Sequence, residues 1–216
     1  MLKITERHHQ IKLSATSSDL ITINMLSKIA RFGVLFFLTS CFATGANAKE
    51  QKYETAILAG GCFWGMQELI SSVDGVVKSQ VGYTGGKGEN PGYELVSTGL
   101  TGHAEAVEIT FDPQKISYEK ILKFFFTIHD PTTLNRQEYD VGTQYRSEIF
   151  YLSDAQKKIA LDVIDKANKS GVFKKPVVTK VTKAGKFYAA EEYHQEYLKK
   201  NPYGYTCHHV RQEWKF

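Results

Sequence analysis

Cysteine is scarce in this chain. There are three in 216 residues, Cys41, Cys62 and Cys207, and no two of them form a C-x-x-C pair. Three separated thiols are too few for a zinc site unless histidines join them. His8 and His9 near the start and His208 and His209 near the end are scattered, so no metal and no cofactor is expected. Charge of one sign is also missing. The formal net charge is +4, and the densest basic residues, near Lys174 and Lys199, read as solvated faces. Nucleic acid is therefore not expected as a partner. Internal repeats and low-complexity segments are absent, and so is an apolar run of the ~20 residues that a bilayer span needs.

What is present fits one globular domain behind a leader. Apolar residues make up 42% of the chain, enough to bury a single core. Residues 1–48 read as the leader and residues 49–216 as the folded domain. Lys28 and Arg31 precede the apolar run Phe32-Gly-Val-Leu-Phe-Phe-Leu38, and Ala46-Asn-Ala48 places small residues at a cleavage position. That is the layout of a secretory signal, with maturation expected after Ala48 and export to the periplasm. Leu38-Thr-Ser-Cys41 supports a rival reading as a lipobox, in which a diacylated Cys41 anchors the protein to a membrane. Met25 is a more ordinary start for such a leader than Met1. In either exported form Cys62 and Cys207 are the thiols left, in a compartment where disulfides persist.

Periodicity places the elements. Strands are expected over Tyr53–Ala59, Val76–Tyr83, His103–Phe111, Tyr145–Tyr151 and Val177–Val181. Helices are expected over Cys62–Ser71, with Phe63, Met66, Leu69 and Ile70 inward, over Tyr93–Ser97, and after the caps Ser117 and Ser153. A last helix is read over Ala189–Lys199, and the tail after Asn201 as loop draped on the core. The order β-α-β-β-α-β with extensions predicts an α+β fold, a ferredoxin-like two-layer sandwich (split βαβ) with a long irregular C-terminal tail.

The chemistry concentrates at Cys62. It follows Gly60 and Gly61 and opens a helix, where backbone amides favour the thiolate that is the reactive form. A buried cysteine packing as a small hydrophobe is the bland alternative. The strand-to-helix junction and the neighbouring aromatics favour a nucleophile. Phe63 and Trp64 point about 100° apart on a helix, so at least one is free to line a pocket beside the sulfur. The two-residue period puts His103, Glu105 and Val107 on one side of a strand. Glu105 is then either a buried carboxyl, held protonated and able to donate, or a surface glutamate; the pattern fits both. Tyr93 and Tyr145 sit at loop-to-element junctions, where a phenol can donate into a pocket. A cysteine hydrolase would need His103 or His194 as base beside Cys62. A binding module would keep Cys62 and Cys207 permanently bonded.

Seven motifs in order resemble one family. They are Gly60-Gly-Cys-Phe-Trp-Gly65, Val81-Gly-Tyr-Thr-Gly-Gly86, Gly102-His-Ala-Glu-Ala-Val107, His129-Asp-Pro131, Gly142-Thr-Gln-Tyr-Arg-Ser147, Tyr193-His-Gln195 and Asn201-Pro-Tyr-Gly-Tyr205. Together they are similar to peptide methionine sulfoxide reductase A. The resemblance implies thioredoxin-dependent reduction of methionine S-sulfoxide, free or in proteins, and repair of oxidised proteins by a monomer. By match, Cys62 is the nucleophile and Phe63 and Trp64 hold the substrate methyl. Glu105 protonates the sulfoxide oxygen, Tyr93 and Tyr145 hold that oxygen, and Asp140 orders the surroundings. Cys207 is the resolving thiol, which would close a disulfide on Cys62 for a thioredoxin-like reductant to open. In the family this cysteine often follows the Gly-Tyr of the tail directly. Here Thr206 intervenes and no cysteine follows Cys207, which argues against a second internal relay.

Overall fold

The computed structural model describes residues 52–216. The leader over 1–48, with its cleavage after Ala48, lipidation at Cys41 and alternative start at Met25, lies outside the described residues.

In chain order the elements are β1 (Glu54–Gly60), α1 (Phe63–Ser71), β2 (Val76–Thr84), α2 (Tyr93–Ser97), β3 (Ala104–Phe111), α3 (Tyr118–Ile128), β4 (Arg136–Gln137), β5 (Asp140–Val141), β6 (Ser147–Tyr151), α4 (Asp154–Ser170), β7 (Lys180–Lys183), β8 (Tyr188–Ala189) and α5 (Tyr197–Lys200). Single 3-10 turns cover Thr143–Tyr145 and Gln212–Trp214. Six strands form one sheet in the order β7-β6-β1-β3-β2-β8, and β4 and β5 form a separate small hairpin. Strand β3 lies antiparallel between β1 and β2, with Leu58 opposite Val107 and Tyr83 opposite Glu105. Strand β6 joins β1 antiparallel, and β7 runs parallel to β6.

The side-chain period of two decides which face is covered. One face carries Leu58, Val81, Tyr83, Val107, Ile109, Phe111 and Ile149, packed with Phe63, Met66 and Ile70 of α1, Leu122, Phe125 and Phe126 of α3, and Ala160 and Val163 of α4. Burying one such large apolar side chain contributes roughly 1.5–3 kcal/mol, so this face is the main source of stability. The opposite face is thinner: Ile57, Ala59, Ala104, Ala106 and Phe150 are covered by Ala184 and Phe187 from the segment between β7 and β8.

Local signals explain most element ends. Ser117 and Ser153 cap α3 and α4, their hydroxyls accepting the backbone N–H groups of Lys120 and Gln156. Helix α4 stops at Gly171 in the left-handed conformation, φ 75°. Three expectations need correction. The strand expected from Tyr145 starts at Ser147, because Thr143–Tyr145 coils into a 3-10 turn. The strand expected over Val177–Val181 starts at Lys180, since the Val178 N–H is held by the Pro131 carbonyl at 2.8 Å. The helix expected over Ala189–Lys199 is only Tyr197–Lys200. Before it, Tyr188 and Ala189 pair with Tyr83 and Gly82 as an edge strand. There Gln195 clamps the segment: its side chain accepts from Val81 N at 3.0 Å and donates to the carbonyls of Val81 at 2.9 Å and Ala190 at 3.0 Å. Glu196 then turns at φ 51°, which no helix tolerates.

Gly60 ends β1 against α3. A Cβ there would stand 2.7 Å from the Phe125 ring and 3.0 Å from that of His129. Gly60→Ala is therefore expected to lower unfolding stability by about 1–3 kcal/mol through overpacking. Urea denaturation measures this, and an unchanged midpoint would contradict the packing described.

Candidate active site

Strand β1 delivers the chain to Gly61, whose φ of 108° favours glycine. Cys62 follows as the residue before α1, not as its first turn. It forms no side-chain cap, so the helix start lacks a local acceptor. Glu105 supplies one from β3: its Oε2 accepts the Phe63 N–H at 3.0 Å. The carboxyl sits at the positive end of α1, next to the cysteine.

Cys62, Phe63, Trp64, Tyr93, Glu105, Asp140, Tyr145 and Tyr205 line one cavity of about 130 Å³. Seven of these eight were singled out from the sequence. Tyr93 comes from the start of α2, Asp140 from β5 and Tyr145 from the 3-10 turn before β6. Cys207 stands just behind them on the tail. Its Sγ lies 3.3 Å from Asp140 Oδ2, and it faces the backbone N–H of Cys62. Both cysteines are free thiols.

Burial decides the electrostatics. Glu105 is only 3% exposed, which settles the two readings of the strand pattern in favour of the buried one. Burial pushes its carboxyl up to about 8; the Phe63 N–H pulls the other way and Asp140 adds to the rise. At neutral pH it is a protonated acid. Burial also pushes the Cys62 thiol well above the usual range, followed by the negative charge of Glu105 when ionised, while the Trp64 N–H opposes. This corrects the expectation that the helix start favours a resting thiolate: at 7% exposure, desolvation outweighs the amides. Burial and then Glu105 raise the phenols of Tyr93 and Tyr145, so both remain O–H donors. The cavity holds a neutral thiol, the neutral Glu105 acid and three phenols, those of Tyr93, Tyr145 and Tyr205, beside the Asp140 carboxyl.

The aromatic wall is held from behind. The Trp64 indole N–H donates to His194 Nδ1 at 2.9 Å, and its ring stacks on Tyr197 at 3.9 Å. The His194 ring packs against Phe63 and Tyr93. Glu191 accepts from Tyr83 Oη at 2.8 Å and from Tyr93 N at 2.9 Å, tying α2 to the sheet. Sequence reasoning gave neither Glu191 nor Tyr205 a place in the site, although Tyr205 stands two residues before Cys207 in a motif already noted. The hydrolase reading fares poorly. The His103 ring meets Tyr188 edge-on, His194 is bonded to Trp64, and among the described residues no histidine hydrogen-bonds the Cys62 thiol. A permanent Cys62–Cys207 bond is not present either.

Residues 54–215 match the sequence profile of the family described as peptide methionine sulfoxide reductase. A peptide methionine sulfoxide reductase MsrA of Mycobacterium sp. (strain MCS) is 55% identical over 163 residues, covering 76% of this chain and 93% of that protein. Mxr1 from Saccharomyces cerevisiae in reduced form superimposes with a TM-score of 0.71 at 38% identity, covering 74% of this chain and 93% of that one. Mxr1 has also been solved in complex with Trx2; that structure covers 78% of this chain and 97% of its own, with a TM-score of 0.52 and 24% identity. With a buried thiol, a buried acid and three phenols around one small cavity, and with relatives of this identity and coverage, the chain belongs to the peptide methionine sulfoxide reductase A family.

Proposed function

We propose that this protein reduces methionine S-sulfoxide to methionine at the Cys62 cavity, in free amino acid and in oxidised proteins, which it thereby repairs. The observation that carries the assignment of roles is the buried Glu105 carboxyl at the start of α1, in the same cavity as Cys62. The substrate methyl packs against Phe63 and Trp64. Its oxygen lies toward Glu105, Tyr93 and Tyr145. A sulfoxide sulfur accepts a nucleophile only when its oxygen is protonated or strongly hydrogen-bonded, and these groups supply that help. As the Cys62 sulfur attacks, Glu105 delivers its proton to the sulfoxide oxygen and the carboxylate so formed takes up the thiol proton, which leaves Glu105 protonated as before. The net step is thiol plus sulfoxide to sulfenic acid plus sulfide: the substrate sulfur gains two electrons and the Cys62 sulfur loses two.

Cys207 then attacks the Cys62 sulfenic acid. An S–S bond forms, the S–O bond breaks and water leaves. A thioredoxin-like dithiol reopens the disulfide and is itself oxidised, a pairing supported by the Mxr1–Trx2 complex. Cys207→Ser is expected to give about one methionine per protein and then stop, with Cys62 trapped as sulfenic acid. Full thioredoxin-linked turnover in that variant would remove Cys207 from the cycle.

The assignment is tested with the separated sulfoxide epimers and a dithiol reductant. Turnover of the S epimer with no turnover of the R epimer is expected; equal use of both would overturn it. We also propose residues 49–216 as the catalytic unit, working as a monomer in the periplasm after cleavage of the leader, or membrane-anchored where Cys41 is lipidated. The order β6-β1-β3-β2, with β3 splitting β1-α1-β2, supports reading the scaffold as a ferredoxin-like sandwich.

A further inference from the structure

The tail after α5 has little regular structure, yet it seats one polar ring and a cation in the protein interior. His208 and Arg211 are each 7% exposed. Arg211 is explained by its ion pair with Glu138 at 2.9 Å and by its place over the Trp214 ring at 4.8 Å. The reaction described above does not use His208. Its Nε2 is 2.8 Å from the Gly60 carbonyl oxygen. A carbonyl only accepts, so Nε2 carries the hydrogen and Nδ1 holds the lone pair. Nδ1 faces the Cys207 sulfur at 3.4 Å. One ring thus joins the carbonyl two residues before Cys62 to the thiol that must reach Cys62.

The sequence around the nucleophile is shaped to admit this ring. A Cβ on Gly61 would stand 3.1 Å from His208 Cε1 and 2.6 Å from Gln137 Cγ. A Cβ on Gly65, one turn into α1, would stand 2.8 Å from His208 Nδ1 and 2.2 Å from Thr206 Oγ1. Thr206 in turn accepts the His208 backbone N–H at 3.1 Å. The glycines flanking Cys62-Phe63-Trp64 leave a bare patch of backbone, and the Thr206-Cys207-His208 segment lies on it.

We propose that His208 is a positioning residue for the second thiol: its Nε2–H pins the tail to the Gly60 carbonyl, and its Nδ1 aims Cys207 at Cys62. The inference rests on the proposed disulfide-forming cycle and goes beyond it by assigning a residue to the second step alone. In that step the Cys207 thiol proton leaves with the sulfenic hydroxyl as water, and Asp140 Oδ2 and His208 Nδ1 are the acceptors flanking it. The other titratable and charged groups around His208 are His129 at the end of α3, His209 and Arg211 on the tail, and Cys207 itself. Burial holds His208 down to about 4, with the Gly60 bond opposing and Arg211 and His209 reinforcing, so the ring stays neutral and the tautomer stays fixed over the working pH range.

The test separates the two steps in one sample. Reduced protein, freed of external reductant, is mixed with excess methionine S-sulfoxide; methionine release is followed by chromatography and Cys62–Cys207 disulfide by mass spectrometry, with a dimedone trap for sulfenic acid. His208→Ala is expected to release one methionine per protein, accumulate trappable sulfenic acid and close the disulfide about 100-fold more slowly, the usual scale of loss when a reacting group is misplaced by about 1 Å. His208→Gln, whose amide N–H can replace the bond to Gly60, is expected to recover most of that rate, whereas His208→Leu, which fills the space without a donor, is expected to stay slow; recovery in His208→Leu would show a merely space-filling role and overturn the proposal. Disulfide closure at the unaltered rate in His208→Ala would overturn the proposal. Equal slowing in His208→Gln, or loss of the methionine burst in His208→Ala, would overturn it too. A failure of the parent reading shows separately, as no methionine from the unaltered protein.

Discussion

Cys62→Ser is expected to remove methionine formation altogether, a loss of about 10⁴-fold or more, the scale seen when a covalent nucleophile is deleted from a site whose parts act together. The reason is chemical and local. A hydroxyl in the same place is a poor nucleophile and has no stable oxidised product corresponding to a sulfenic acid. The exchange is nearly isosteric in a position that is 7% exposed, so the fold should survive it. Methionine release from methionine S-sulfoxide, with a dithiol present, measures the effect. Retention of more than a small fraction of the rate would show that another group attacks the sulfoxide.

Glu105→Gln is the second large effect, expected at about 10²–10⁴-fold on the methionine-forming step, the usual contribution of a positioned acid. Glutamine keeps an oxygen to accept the Phe63 N–H, so α1 keeps its partner while the proton donor is lost. The pH dependence gives the sign. Burial raises the carboxyl to about 8, so the donor form is present below that pH and is lost as pH rises through it. The single-turnover rate of the unaltered protein should therefore fall above about pH 8, and the glutamine variant should lack that fall. A rate that climbs steadily from pH 7 to 9 would contradict the acid role; it would instead point to ionisation of Cys62 as the limiting event.

Local grammar accounts for what was legible in the sequence. Ser117 and Ser153 with apolar periods behind them are sufficient signals, and α3 and α4 begin where they say. The run from His103 to Phe111 alternates, and β3 follows with the loss of one residue at its start. What stayed out of reach depends on partners remote in sequence. The segment from Ala189 reads as helix because nothing near it announces that Gln195 will clamp onto Val81, 114 residues earlier. The burial of Glu105 is undecidable from its strand because the hydrogen bond that holds it comes from Phe63, 42 residues away. The ionisation of Cys62 was misjudged for the same reason: a helix start is visible in the sequence, whereas the dehydration of that start is a property of the assembled cavity. His208 was visible only as one of two adjacent histidines, since its partners Gly60 and Gly65 reveal their missing side chains as a seat only once the tail lies across them.

The central claim is that Cys62 and Cys207 form a cycling pair that takes oxygen from methionine S-sulfoxide. The most direct measurement counts thiols and methionine together in reduced protein mixed with the sulfoxide, with no other reductant present. The expected result is one methionine released and two thiols lost per protein, with both thiols recovered after a dithiol is added. Methionine release without loss of the second thiol would contradict the pairing, and no loss of thiol at all would contradict the account at its first step.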